Sequence, residues 1–144
     1  MRPAIKGLVL FLIGGATSAL LEVIWRGYTH VTMFVLGGVL FIVLGALNEN
    51  LLEWDTPLFI QGLIGAVVVT SAELISGIVL NLWLGMNVWS YSDIPFNFMG
   101  QICLPFSLLW VPVSMAAIVL DDYIRFWLFG ERRPAYTLFK RRNP

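Results

Sequence analysis

From Leu58 to Ser92 the chain carries one charged residue, Glu73, inside an otherwise uncharged and largely apolar stretch. A helix that crosses a bilayer needs about 20 mostly apolar residues, with a range of about 17 to 25. This stretch therefore holds a full crossing with residues left over. Three more runs of the same kind surround it: Gly7 to Trp25, broken only by Glu22, then Val31 to Leu47, and Ile94 to Leu120. Only 12% of the residues are charged, against about 25% in an ordinary soluble domain. A soluble fold built this way would expose large apolar patches and aggregate. With a net charge of zero and no broad basic face, a nucleic-acid partner is excluded as well. The single cysteine, Cys103, permits no internal disulfide and no cysteine-based metal site.

These runs predict an all-α, polytopic membrane protein with a single transmembrane domain over residues 1–144. Four transmembrane helices are expected at about 5–25, 31–48, 58–82 and 99–120, followed by a tail at 121–144. Between the third and fourth lies an aromatic outer loop with Trp83, Trp89, Tyr91, Phe96 and Phe98, punctuated by Gly85, Pro95 and Gly100. The tail mixes Tyr123, Phe126, Trp127 and Phe129 with Arg125, Arg132 and Arg133, as an interfacial extension held by anionic headgroups does. At the N-terminus, Arg2, Lys6 and the small residues Ala16-Thr17-Ser18 also fit a signal peptide. The apolar run continues past that point to Trp25-Arg26, which favours a retained span.

Arg2 and Lys6 precede the first span, Arg26 follows it, and the remaining Lys and Arg come after the fourth. The positive-inside rule then puts both termini on the cytoplasmic side. The loop Asn48 to Asp55 is expected on that side too, with Arg26, His30 and Asp93 facing outward. Gly14 and Glu22 recur as Gly65 and Glu73 with one common offset, the pattern of a degenerate duplication into two hairpins.

Glu73 is the centre of the expected site. A carboxylate at mid-bilayer costs about 2.5 kcal/mol or more, so it should face the protein interior or a wet cavity. Gly62, Val69, Ser76, Gly77 and Leu80 fall near its helical face, and such small residues let another helix approach closely. Glu22 precedes Arg26 by four residues, the favourable order for an ion pair on one helix. It either forms that rim salt bridge or converges with Glu73 on an outward cavity where the two carboxylates share a proton or cation. His30 is either a hydrogen-bonding cap or, with Glu22 and Asp93, a metal ligand; the cap is the expectation, and no metal or cofactor is assigned. Asn48-Glu49-Asn50 reads as a helix cap. Pro105 and Pro112 would kink the fourth span, and Trp110 is either core packing or a cation–π wall. The expected binding set is Glu22, Arg26, His30, Glu73, Trp89, Tyr91, Asp93, Asn97, Gln101 and Trp110.

No phosphate-binding Gly-rich loop ending in Lys-Ser/Thr, no Gly-x-Ser-x-Gly elbow and no His-Glu-x-x-His is present. ATPase and ordinary hydrolase activity therefore lack a sequence basis, and the chain is not expected to be an enzyme.

The stretch Glu22 to Met33, with Gly37-Gly38 and Leu47-Asn48-Glu49, resembles the putative ABC-transporter type IV family of small four-helix bacterial membrane proteins. Ala72-Glu73-Leu74 to Asn81, Trp89 to Asp93, and Pro95-Phe96-Asn97 to Gln101 fit the same pattern. The resemblance implies a multi-pass protein of the bacterial cytoplasmic membrane, linked to transport. Ala19 to Ile24 is also similar to the first helix of small multidrug-resistance exporters, in which a membrane glutamate exchanges protons for cationic drugs. The chain departs from those in length, in Arg26 and His30, and in its aromatic loop.

The expected function is a membrane-embedded transport or solute-binding component with an outward acidic and aromatic site for a small cationic or polar solute. Its partners would be the lipid bilayer, a separate ATPase or other membrane subunit, and a second copy of itself in a homo-oligomer. The alternative is a non-transport scaffold, or a lipid- or partner-binding protein, whose buried acids are structural.

Overall fold

A computed structural model describes residues 2–47 and 56–131. The sequence readings of the loop 48–55 and of the tail beyond residue 131 lie outside the described residues. The protein is mostly helical. Helix α1 spans Pro3–Arg26, α2 spans Val31–Ala46, α3 spans Leu58–Gly77 and α4 spans Leu104–Phe129. A π-helical segment, Ile78–Trp83, prolongs α3. Two short antiparallel strands, β1 (Asn97–Phe98) and β2 (Ile102–Cys103), pair Asn97 with Cys103 and Phe98 with Ile102.

Local chemistry sets the ends of these elements. Pro3 opens α1 in its first turn, where its missing N–H has no helical partner to lose. Gly27 closes α1 at φ 82°, a left-handed conformation that suits glycine, and its N–H bonds to the Val23 carbonyl at 2.8 Å. Helix α1, α3 with its π-helical continuation, and α4 are long and apolar enough to cross a membrane. At 24 to 26 residues each they measure about 36–39 Å, more than the roughly 30 Å hydrocarbon core. The 16 residues of α2 reach only about 24 Å.

The described chain forms two compact units. The first contains the chain up to Pro57 and from Ala116 onward; the second is Leu58–Met115. In the first unit, α1 and α2 pack through bulky side chains set against glycine. Phe41 lies where a side chain on Gly14 would be, Phe34 covers Gly15, and Phe11 covers Gly38. The Phe11 and Phe34 rings meet edge to face at 6.0 Å. Leu10, Phe41 and Ile124 form the core, with Ile13, Ile42, Ala117 and Phe129 around them.

The end of α4 corrects the sequence reading. The helix begins at Leu104 rather than near residue 99, because residues 97–103 are taken up by the strand pair and its turn. It also runs beyond residue 120 as far as Phe129. Asp121 and Asp122 are thus helical and fully buried, not the start of a tail. Asp121 pairs with Arg125 at 3.0 Å, four residues on, and its carboxylate lies against the bare backbone of Gly45. Glu131 bonds Lys6 at 2.8 Å and approaches Arg125 at 3.8 Å. Pro105 also departs from expectation: it falls in the first turn of α4, where proline is tolerated, and only Pro112 is interior.

In the second unit, α3 buries Gln61, Gly62, Gly65, Ala66, Val69, Glu73 and Gly77. The spacing of three and four residues marks one helical face. Met115 packs on Gly62 near one end of α3 and Gln101 packs on Gly77 near the other, so α3 and the start of α4 run antiparallel. Between them Thr70 donates to Ser107 at 3.0 Å.

The glycine contacts make opposite demands at two positions of α1. Gly7 has open space where a Cβ would go, whereas Phe41 already occupies the space at Gly14. In detergent thermal unfolding, Gly7→Ala is expected to stabilise by up to about 1 kcal/mol through helix propensity. Gly14→Ala is expected to destabilise by about 1–3 kcal/mol through overpacking.

Candidate functional site

Glu73 lies on the inward face of α3 and is 7% exposed. Its carboxylate receives one hydrogen bond on each oxygen. The indole N–H of Trp110, on α4, donates to Oε1 at 2.7 Å. The Tyr91 hydroxyl, on the loop, donates to Oε2 at 2.8 Å. The Tyr91 ring stacks on Phe106 at 5.1 Å with 22° between planes, and Phe106 tilts against Trp110 at 6.3 Å. One acid is thus set among three aromatic rings drawn from the loop and α4. A hydrogen bond to a charged group contributes about 1.5–3 kcal/mol. Two such bonds, about 3–6 kcal/mol together, cover the roughly 2.5–3.5 kcal/mol that a charged side chain costs at the centre of a membrane helix.

The loop is positioned by a second polar network. The Asn81 amide, on the π-helical segment, donates to Gln101 Oε1 at 2.8 Å, and its Oδ1 accepts from the Val88 N–H at 2.7 Å. Trp89 donates its indole N–H to the Gln101 carbonyl at 3.1 Å, and Gln101 Nε2 donates to the Met99 carbonyl at 3.0 Å. Tyr91 is anchored by its own N–H, which bonds the Gly100 carbonyl at 2.7 Å. Asn97 organises the turn: its amide donates to the Ile94 carbonyl at 2.8 Å and its Oδ1 accepts from the Gly100 N–H at 3.1 Å.

The structure therefore brings Glu73, Tyr91 and Trp110 into direct contact and joins Trp89 to Gln101 in the network behind them. Asn97 builds the loop, and Asp93 stands exposed on it. Glu22, Arg26 and His30 belong to the first unit. Arg26 Nε bonds Glu22 Oε2 at 2.7 Å, and the guanidinium sits 4.7 Å from the Tyr28 ring centre. His30 is the N-cap of α2, its Nδ1 accepting from the Thr32 N–H at 3.1 Å and lying 2.8 Å from the Thr32 hydroxyl. Among the described residues, no group of three or more His, Cys, Asp or Glu side chains is arranged to hold a metal ion.

Two contributors fall outside the expected set. Phe106 precedes Trp110 by four residues and so shares its helical face. Asn81 is an amide eight residues beyond Glu73 on the same apolar segment, a detectable signal that the charge pattern overshadows.

A family model described as Putative ABC-transporter type IV matches residues 9–129. The chain belongs to this family. No curated protein and no solved structure matches it. The match places this member of the putative ABC-transporter type IV family among ABC-transporter-related membrane proteins. It takes in Glu73, Tyr91, Phe106 and Trp110 together with the Asn81–Gln101 network.

The two donors to Glu73 are separable from their rings. Tyr91→Phe keeps the stack on Phe106 and removes only the hydroxyl, so it is expected to cost about 1–3 kcal/mol of stability. In a Glu73→Met background the same change should cost much less. A double-mutant cycle of unfolding free energies checks this, and equal costs in both backgrounds would show that the hydroxyl does not act through Glu73.

Proposed function

We propose that this protein is the membrane-embedded, solute-binding component of a transport system, with a site centred on Glu73 for a small cationic or polar solute. The observation that carries the reading is the setting of Glu73: an acid within an apolar span, enclosed by Tyr91, Phe106 and Trp110. A carboxylate offers charge, and aromatic faces attract cations by about 0.5–2 kcal/mol each, more strongly where water is excluded. Acids within membrane spans commonly mark ion and substrate pathways. Trp89, Asp93, Asn97 and Gln101 shape the loop that forms the approach.

The chain acts without enzymatic chemistry of its own. Lacking a phosphate-binding loop, it draws energy from a separate ATPase subunit or from an ion gradient. It resides in the bacterial cytoplasmic membrane with both termini inside, on the strength of the Lys and Arg distribution. In this arrangement α2 completes a fourth crossing.

A second reading, a scaffold whose buried acid is structural, draws on the same hydrogen bonds. Both oxygens of Glu73 are engaged, and they tie the loop and α4 to α3. Glu73→Gln separates the two. Under the transport reading it weakens binding of quaternary-ammonium and guanidinium probes at least tenfold in calorimetric titration, with the unfolding temperature nearly unchanged. A large drop in unfolding temperature with probe binding unaltered would favour the scaffold.

A further inference from the structure

We propose that the Glu73 site selects quaternary ammonium groups, cations without an N–H, over primary ammonium and guanidinium ions. The proposal rests on the solute-binding reading of this site and narrows it to one class of cation. Its basis is the number of hydrogen-bonding positions left around the acid. An ionised carboxylate offers about four lone-pair positions. Tyr91 takes one on Oε2 at 2.8 Å, and Trp110 takes one on Oε1 at 2.7 Å. Three residues back along each helix, the hydroxyls of Thr70 and Ser107 are bonded to each other at 3.0 Å.

A primary ammonium brings three N–H donors and a guanidinium brings five, whereas Glu73 has about two positions left to offer. Either ion must displace the bonds from Tyr91 and Trp110 or keep donors unmet within an apolar span, and both are costly. A quaternary ammonium asks for no acceptor. Its methyl shell keeps the nitrogen beyond hydrogen-bond range, so it meets the carboxylate through space with both donors still in position.

The aromatic surface that such a cation needs is also in place. Tyr91 stacks on Phe106 at 5.1 Å, and Phe106 tilts against Trp110 at 6.3 Å. All three rings are only half-buried, so each keeps surface that the protein does not cover. Aromatic faces are the usual recognition surface for quaternary ammonium ligands. Desolvation acts in the same direction. A primary ammonium is a compact, strongly hydrated charge, and methyl groups in its place lower the cost of bringing it into an apolar setting. Tyr91 is then a specificity-determining residue. Its hydroxyl holds the position on Oε2 that a primary ammonium would use, and its ring adds to the surface that a quaternary one uses.

Calorimetric titration in a neutral maltoside detergent at constant ionic strength tests this. The probes are tetramethylammonium, methylammonium, guanidinium and neopentyl alcohol, an uncharged molecule of similar size to the first. Tetramethylammonium is expected to bind about tenfold or more tightly than each of the others. Tyr91→Phe keeps the ring and frees a position on Oε2, so the preference over methylammonium and guanidinium should fall by about threefold or more. Equal binding of the cations, all tighter than the alcohol, would overturn the selectivity while the acidic site stands. If no cation binds more tightly than the alcohol, the solute-binding reading falls and this proposal with it. These arms use the unmodified protein and do not depend on a variant that folds. A preference unchanged in Tyr91→Phe, with the variant folded, would overturn the role assigned to the Tyr91 hydroxyl.

Discussion

A carboxylate within an apolar span must be supplied with hydrogen-bond donors by the protein, because the hydrocarbon around it supplies none. Glu73 meets that demand with one donor from α4 and one from the loop. Much of the second unit follows from it. Trp110 has to stand at the level of Glu73 on the antiparallel helix, and Tyr91 can reach the acid only if the loop folds back over the end of α3. The Asn81–Gln101 pair and the small Gly77 contact bring that about, since a side chain at Gly77 would collide with Gln101. The acid and the loop are therefore one structural problem with one solution.

The first unit solves a different problem, the close approach of helices with little polar chemistry. Phe11, Phe34 and Phe41 each fill the volume that a glycine on the facing helix leaves open. In this unit Lys6, Arg125, Glu131 and Asp121 form a linked set of ion pairs, and Glu22 pairs separately with Arg26. In such a setting the pairs compensate the burial of Asp121 more than they add stability.

Much of this was legible from residues alone, and the limits have physical causes. Glu73 stood out because nothing near it in sequence carries charge, and burial of its face followed from helical periodicity. The His30 cap was legible for a similar reason, since it joins residues two positions apart. Trp110 was recognisable as unusual, but its bond to Glu73 depends on how α3 and α4 align, a long-range fact that spacing does not encode. The fold-back that delivers Tyr91 was also hidden, because its left-handed turns fall at Asn87, Phe96 and Met99 as well as at glycines. In the sequence Asp121 and Asp122 mark a boundary, because charge normally ends a span. That Asp121 is accommodated inside depends on the missing side chain of Gly45, in a different helix.

The π-helical segment adds a dimension of its own. From Ile78 to Trp83 each turn holds more residues than an α-turn, as the bond from the Leu84 N–H back to the Val79 carbonyl records. The helix thereby absorbs surplus chain without breaking its hydrogen-bond ladder. Chain length in this segment thus behaves as a phase setting. Winding the same residues as plain α-turns would rotate everything beyond them by about 100°, because a π-turn takes up more residues than an α-turn of equal sweep. Within these few positions, the number of residues matters more to the geometry than the identity of most of them.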